Sequence, residues 1–402
     1  GEHDNAWVSV LDASSGKEVA RYKGHDRTPR GMVLSDNDDI VYSAGGFHHE
    51  IDVWKLSSGQ RMGRLAGAGR PVQSVGISND GKTLFWGQKP INWSGRKYNF
   101  NALAEITHRV SLQTVHDQLG VPERVSGGDK PLRTTRKSGG ITLKREKPKD
   151  GRFYTLLRIR KGNSMLGTIV RDKTTGHIHT AYTLTPDNKH VVTGGEVGYL
   201  SLHRLDGTKV GDFLGHNGNI TDLAISADGR LLISGSQDQT FKLWEIKTQK
   251  LLLSFFVAGN GEWIAWTSTG HYASSPNGDR YIGWVINQGV DANAQYVRAE
   301  QMREKLYRPD IIQKVLGTQS LETALSQSQQ SDFSVAQVVE QKVVPLDFDL
   351  LAPQSGLVTE SDAIELEVAV SRGGERSIDW TVTVNQRQVM NPSATRGLAR
   401  TQ

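Results

Sequence analysis

One pattern occurs twice along this chain and restricts its fold more than any other feature. Gly24-His25 is followed by Trp54, and Gly215-His216 by Trp244. Each copy runs from a Gly-His pair through a polar turn, Ser35-Asp36-Asn37-Asp38 or Ser226-Ala227-Asp228-Gly229. It then passes Ser43 or Ser234 and ends on an apolar strand closing in Trp-Lys or Trp-Glu. A repeat of roughly 40 residues made of four short strands cannot bury its own faces, so copies must stack. Stacking in a ring makes a continuous core and removes free sheet edges, which predicts an all-β propeller.

Turns suited to closing the first hairpin of a blade fall at Asp38, Gly81, Gly151, Asn188, Gly229 and Gly270. All but one of the intervals between them are close to the roughly 40-residue period. The exception contains Lys89 to Lys149, where Gly and basic residues interrupt the pattern, and reads as an insertion in one blade. Near the N-terminus, Trp7 to Leu11 and Glu18 to Lys23 look like the last two strands of a blade. Trp263 to Trp266, Tyr272 to Ser274 and Tyr281 to Ile286 are expected to complete that blade and close the circle. The expectation is seven blades, with six as the alternative, over residues 1–290.

After the ring the period changes. Ala299, Met302 and Leu306, then Ile311, Ile312, Val315 and Leu316, lie at helical spacing on either side of Arg308-Pro309, which predicts a short helical connector. Ser326 to Ser331 is polar and low in complexity, so residues 291–340 read as connector and linker. Beyond Pro345 the period becomes two. Ile364, Leu366, Val368 and Val370, then Ile378, Trp380, Val382 and Val384 across a Gly373-Gly374 turn, read as sandwich strands. Residues 341–402 fall short of the roughly 100 of an immunoglobulin-like sandwich, so a partial one is expected. The chain begins Gly1-Glu2-His3 without Met, which suggests that something preceded it.

Composition narrows the chemistry. The 402 residues contain no cysteine, which excludes disulfides, thiolate metal sites and a cysteine nucleophile within them. No apolar run approaches the roughly 18 residues of a spanning helix. Net charge is +5, small against 48 basic and 43 acidic residues. Gly-x-Ser-x-Gly, P-loop, Gly-x-Gly-x-x-Gly and His-Glu-x-x-His motifs are all missing.

The run Gly215-His216, Ser226-Ala227-Asp228-Gly229, Ser234-Gly235-Ser236-Gln237-Asp238 and Leu243-Trp244-Glu245 resembles the tryptophan-aspartate (WD) repeat family. The resemblance implies that His216, Ser234, Asp238 and Trp244 form a hydrogen-bonded set pinning the blade. His25, Ser43 and Trp54 match the same pattern. There the turn Phe47-His48-His49-Glu50 replaces the Asp-bearing one and is a residue longer, leaving that network without its Asp. The copy after Gly176-His177 departs further, with His203 in the Trp position.

A second resemblance covers roughly residues 194–330. Gly261 to Thr267, Gly270 to Pro276, Ile282-Gly283-Trp284 and Leu306 to Asp310 look like bacterial WD-repeat proteins that carry a caspase-like peptidase domain. It implies an immunoglobulin-like segment between propeller and peptidase, and a bacterial cytoplasm or periplasm as location. With no Cys nucleophile, this chain would be the non-catalytic, regulatory or targeting part.

Several side chains invite a functional reading. His48-His49-Glu50 and the pair His177 and His179 offer metal ligands, but adjacent ligands on a hairpin rarely converge, and turn or blade roles explain them better. Asp36 to Asp39 lacks the Gly and distant Glu of a calcium loop. Between Lys130 and Lys149 there are eight basic residues, Lys130, Arg133, Arg136, Lys137, Lys144, Arg145, Lys147 and Lys149, against Glu146 alone. With no aromatic among them for base stacking, a solvated insertion is preferred over nucleic acid. Trp263, Trp266, Tyr272, Tyr281 and Trp284 read as core of the closing blade, not as a sugar platform. The sequence therefore predicts a non-catalytic interaction propeller without cofactor or metal. Protein partners are expected on the face that displays Arg27, His48, Arg70 and Gln237. The alternatives are a lactonase-like propeller with a site in its central channel and a purely structural scaffold.

Overall fold

The computed structural model describes residues 7–25, 29–35, 39–45, 50–88, 104–111, 122–286 and 295–328, together with the backbone of four later strands. The fold is an all-β propeller of antiparallel blades followed by short helices. Strands β1 (Val8–Leu11) and β2 (Glu18–Tyr22) pair with each other. The first four-stranded blade comprises β3 (Pro29–Leu34), β4 (Ile40–Gly45), β5 (Glu50–Lys55) and β6 (Arg61–Leu65). The second comprises β7 (Ser74–Ile77), β8 (Thr83–Gly87), β9 (His108–Ser111) and β10 (Glu123–Arg124). The third comprises β11 (Lys137–Ser138), β12 (Ile141–Glu146), β13 (Leu156–Lys161) and β14 (Ser164–Val170). The fourth comprises β15 (Ala181–Leu184), β16 (His190–Gly194), β17 (Leu200–Arg204) and β18 (Lys209–Asp212). The fifth comprises β19 (Ile220–Ile225), β20 (Leu231–Ser236), β21 (Thr240–Glu245) and β22 (Leu251–Val257), and β23 (Trp263–Trp266) and β24 (Tyr272–Ser274) extend it to six strands. A last pair, β25 (Gly283–Ile286) and β26 (Gln295–Arg298), follows.

Backbone chemistry explains which of the expected hairpin turns hold. Gly81, Asn188 and Gly229 close the first hairpins of the second, fourth and fifth blades at φ of +72°, +55° and +71°. Gly and Asn tolerate that left-handed region, so they mark these turns in the sequence. Two others are displaced. Gly151 joins β12 to β13, whereas the first hairpin of the third blade closes through Gly139-Gly140 at φ +55° and +78°. Two consecutive left-handed residues are what a two-residue hairpin loop needs. Gly270, φ +92°, joins β23 to β24 inside the extended fifth blade and starts no new one. Asp38 lies outside the described residues.

Blades adhere through apolar faces. Ile141, Leu143, Leu157 and Ile159 of the third blade pack on Tyr182, Leu184 and Val191 of the fourth. Val192, Leu200 and Leu202 of the fourth pack on Leu223, Leu232 and Trp244 of the fifth. The opposite face of the fifth, Ile233, Phe241 and Leu243, packs on Val75, Leu84 and Trp86 of the second, with Trp86 stacked on Phe241 at 5.1 Å between centroids. The first blade has its own small core with β1 and β2, in which Tyr22 stacks on Trp54 at 5.0 Å. Residues 131–135 run back along the inner strands. Leu132 bonds with Ile77, Thr134 with Asp222 and Leu223, and Thr135 with Thr183 and Leu184.

Ring closure differs from the expected pairing. β23 bonds onto β22 and β24 onto β23, not onto β1 and β2, because β22 is a seven-residue strand whose free edge β23 covers in register from Ser254 to Val257. The interrupted stretch also resolves differently: β9 and β10 complete the second blade, and much of the basic run is strand β11 and β12 rather than a loop. The helical connector is present as a 3-10 turn (Ala299–Met302), α1 (Arg303–Leu306), α2 (Pro309–Thr318) and α3 (Leu321–Ser326). Pro309 sits at the first helical position, where its missing N–H costs nothing. Ile311, Ile312 and Val315 are buried in the same core as the fifth blade, so the helix is docked. Among the described residues no helix is long and apolar enough to cross a membrane.

Further on, β27 (Asp347–Ala352) pairs with β28 (Glu367–Arg372), and β29 (Val382–Val384) with β30 (Arg387–Met390). Val368 and Val370 fall in β28, and Val382 and Val384 in β29, as the alternation predicts. Ile364, Leu366, Gly373, Gly374, Ile378 and Trp380 lie outside the described residues.

Candidate functional site

The fifth blade contains the complete pinning network. Trp244 donates its Nε1–H to Ser234 Oγ at 2.8 Å, Ser234 Oγ lies 2.8 Å from His216 Nε2, and His216 Nδ1 lies 2.7 Å from Asp238 Oδ2. Indole N–H can only donate, so the serine proton must go to Nε2, and the imidazole must donate from Nδ1 to the carboxylate. Burial lowers the His216 pKa despite the opposing carboxylate, keeping the ring neutral. Burial also pushes Asp238 upward, but the hydrogen bonds from His216 and Thr240 outweigh it and hold the carboxyl well below the usual range. Asp238 additionally accepts the backbone N–H of Asn217 at 3.0 Å, tying the loop that enters the blade to the turn between β20 and β21.

The first blade repeats this chain with a different acid. Trp54 Nε1–H donates to Ser43 Oγ at 3.0 Å, Ser43 Oγ lies 2.7 Å from His25 Nε2, and His25 Nδ1 lies 3.2 Å from Glu50 Oε1. Glu50 thus supplies the carboxylate that the Asp-less turn left unassigned, and it is spent on a buried partner instead of a metal. Next to it, Arg64 holds the fully buried Asp52 by two hydrogen bonds, at 2.6 and 2.7 Å.

The fourth blade requires a correction. His179, not His177, occupies the position of the blade histidine: its Nδ1 lies 2.7 Å from Thr193 Oγ1, and Thr193 pairs across from Ser201. Its Nε2 faces the Ile169 carbonyl at 3.2 Å and must carry the proton, so Nδ1 accepts from Thr193 and from Arg171 Nε, the reverse of the other two histidines. Burial first, and then the Arg171 charge, lowers the His179 pKa to about 3. His203 stands in the Trp register opposite Val191, as the sequence predicts. His177 instead adopts φ +54° and meets Glu196 at 3.3 Å, so the two histidines do not converge. Among the described residues no group of three or more His, Asp or Glu is placed to hold a metal ion.

These networks anchor one rim of the propeller. Gly195 O accepts from Ile220 N–H, and Asn219 Oδ1 accepts from Val197 N–H at 3.2 Å. Asn219 O accepts from Gln237 N–H at 2.9 Å, Ser236 O from Val72 N–H at 3.0 Å, and Ala68 O from Gly259 N–H at 2.8 Å. The turn after β16, the loop into β19, the turn after β20, the loop into β7 and the turn after β22 therefore form a continuous edge. Of the four residues expected on the partner face, Arg70 and Gln237 belong to this edge. Arg27 and His48 lie outside the described residues. Sequence reasoning missed two apolar side chains there: Val197 is 71% exposed and Leu214 is 79% exposed. Val197 also has φ +56°, a conformation costing a β-branched residue about 1–3 kcal/mol, and such strain concentrates at functional surfaces.

Four of the five residues of the aromatic run behave as core, while Tyr281 is half-buried and its hydroxyl accepts from Asn260 Nδ2 at 2.9 Å. Tyr272 is fully buried and Trp263 nearly so, while Trp266 and Trp284 pack against the cluster of Ile264, Tyr272, Val297 and Leu306. On the inner side, the buried acid Asp222 is occupied by Arg133 Nη2 at 3.2 Å, Thr134 and backbone N–H groups.

Residues 207–245 match the family described as WD domain, G-beta repeat. The stretch includes β21 and all four members of the fifth-blade network. A rice (Oryza sativa) ribosome biogenesis protein BOP1 homolog is 35% identical over 71 residues, 18% of this chain and 9% of that protein. A bovine WD repeat-containing protein 18 is 40% identical over 47 residues, 12% of this chain and 11% of its own length. The yeast target of rapamycin complex subunit LST8 is 29% identical over 70 residues, 17% of this chain and 23% of its own. The similarity is thus one to two repeats long, and the matched segments span less than a quarter of each relative.

Proposed function

We propose that this chain is a non-catalytic interaction propeller that binds protein partners along the rim bearing Arg70, Val197, Leu214 and Gln237. The observation that carries this reading is Val197, a β-branched side chain held in a left-handed conformation and left 71% exposed beside a turn anchored by the blade network. A strained apolar side chain presented to water gains free energy when a partner covers it. WD repeats as a class, including the relative that is a subunit of a larger complex, support the same role. The test is photo-crosslinking in the host cell from a benzoylphenylalanine placed at Arg70, Leu214 or Gln237, against one at Asp228 on the turn at the other end of the strands. Discrete protein adducts from the rim positions alone are expected. Adducts from Asp228 alone, or from no position, would overturn the proposal.

The resemblance of residues 261–310 to bacterial proteins with a caspase-like peptidase supports a narrower form, in which the propeller regulates or targets such a domain in cis. These residues make one packed module: Ser275 and Asn277 bond Glu262, Tyr272 bridges to Tyr307, and Arg308 N–H donates to the Tyr272 carbonyl at 2.8 Å. Sequencing the gene past the codon for Gln402 tests it. A downstream domain with paired His and Cys is expected, and its absence would leave the interaction role without the peptidase.

A further inference from the structure

The outward face of the third blade differs from every blade face described above. Its inward face is Ile141, Leu143, Leu157, Ile159 and Ile169, all buried against the fourth blade. Strand alternation puts Thr142, Lys144 and Glu146 of β12 and Leu156, Arg158 and Arg160 of β13 on the other side, joined by Lys137, which pairs opposite Thr142. Lys144 stands directly across from Arg158, and Arg160 lies one pair further along. Like charges opposite one another destabilise a sheet. Among the described residues of this face Glu146 is the acid, 3.5 Å from Lys144 and 3.4 Å from Arg158, against the four cations Lys137, Lys144, Arg158 and Arg160. Lys144 keeps 73% of its side chain exposed.

Three other basic residues of the run are committed elsewhere. Arg133 binds Asp222, Arg136 lies over Tyr182, and Arg145 lies over Tyr154 and donates to the His179 carbonyl. Lys130, Lys147 and Lys149 stay exposed along loops, while Lys137, Lys144, Arg158 and Arg160 are set side by side on one strand face. At its ends the face carries aliphatic side chains, Met165 at 43% exposure beside Arg160 and Val170 at 64% beside Leu156.

We propose that this face binds an acidic protein segment that alternates carboxylates with aliphatic residues. Carboxylates would relieve the repulsion between Lys144 and Arg158, and arginine offers them a two-pronged contact. The aliphatic ends suit an apolar side chain flanking the acids. Among the described residues the face has no aromatic ring on which a nucleobase could stack, which favours protein over nucleic acid. This site is separate from the rim and does not depend on it.

The experiment uses the whole 402-residue chain and a fluorescein-labelled peptide, Glu-Val-Asp-Leu repeated three times, read by fluorescence anisotropy. Binding that weakens as salt rises is expected, because surface charge pairs are screened. The Lys144→Glu/Arg160→Glu variant should weaken it by about tenfold or more, and Met165→Ala by a smaller factor. Lys189→Glu, the same type of charge change on a turn of the fourth blade, should leave it unchanged. Thermal melts establish that each variant is folded, and Lys144→Gln/Arg160→Gln replaces the double reversal if that one is not. No peptide binding, equal loss in Lys189→Glu, or tighter binding of a thymidine oligonucleotide than of the peptide would each overturn the proposal.

Discussion

His25 and Glu50 meet at 3.2 Å in the first blade, where Glu50 performs toward His25 the task that Asp238 performs toward His216 at 2.7 Å. Both carboxylates terminate a chain of donors that begins at a buried indole. Glu50 sits 25 residues after its histidine and Asp238 sits 22 after its own. The longer turn is thus accommodated by moving the acid onto the following strand. Because the imidazole N–H of His25 is buried, removing Glu50 leaves it only Asp52 Oδ2, which stands off at 3.6 Å and is already held by Arg64.

Glu50→Ala is therefore expected to destabilise the first blade by about 1–3 kcal/mol. Glu50→Gln, whose amide oxygen still accepts, should cost distinctly less. Urea denaturation of both variants decides, and equal midpoints would show that the carboxylate is not the acceptor His25 requires.

Trp244 is wholly buried, donates to Ser234 and contacts Phe213 edge-on at 5.7 Å. Trp244→Ala should cost about 3–5 kcal/mol through lost burial and the cavity left behind. Trp7 is 46% exposed, and Trp7→Ala should stay near the surface norm of about 0.5 kcal/mol. Midpoint shifts of similar size would contradict the burial assigned to the fifth blade.

Acid should loosen the fourth blade before carboxylates titrate. The His179 pKa falls from 6.5 to about 3 on folding, through burial and then the Arg171 charge, so the unfolded chain takes up the proton first. Stability from this site is complete above pH 6.5 and is lost as pH falls toward 3, by up to about 1.4 kcal/mol per pH unit. His216 shifts in the same direction, with burial as the leading cause. Denaturation midpoints at pH 7 and pH 5 should differ less in His179→Asn than in the parent chain. An unchanged pH dependence would refute the buried neutral imidazole.

The chain should not hydrolyse fluorogenic peptides ending in Arg, Lys or Asp. It has no cysteine, and among the described residues its buried histidines are engaged with Ser43, Thr193, Ser201 and Ser234 in blade networks and with Thr269. Turnover that survives repurification and disappears on a point substitution within these residues would refute this.

What the sequence showed and hid follows from the range of the forces involved. The fifth-blade network was legible because its four residues fall at fixed intervals within one repeat. Gly81, Asn188 and Gly229 were legible because a left-handed turn leaves a mark in residue type. Glu50 and His179 were hidden, since only the folded register shows which carboxylate or imidazole reaches the strand hydroxyl. Spacing pointed away from His179: it precedes Thr193 by 14 residues, whereas His25 and His216 precede their serines by 18. Val197 and Leu214 carried no local signal at all, because exposure on a rim is a property of the assembled blades. The pairing of β22 with β23 was hidden for the same reason, since either free edge would have satisfied the alternation.

Strand pairs outside the blades have less to hold them. Among the described residues β27 with β28, and β29 with β30, are two-stranded sheets, and an isolated pair of that size is marginal in water. β20 and β21 lie inside the fifth blade, hydrogen-bonded on both edges, with Leu232, Ile233, Leu243 and Trp244 fully buried. Amide exchange requires these bonds to open, and opening the blade exposes that core whereas opening a two-stranded sheet exposes little. Amides of residues 347–352 and 367–372 should therefore exchange at least about a hundredfold faster than those of 231–236 and 240–245. Hydrogen exchange read by mass spectrometry on the whole chain measures both at once. Equal protection would mean that further packing completes the sandwich, and that the strands after Pro345 belong to a finished domain.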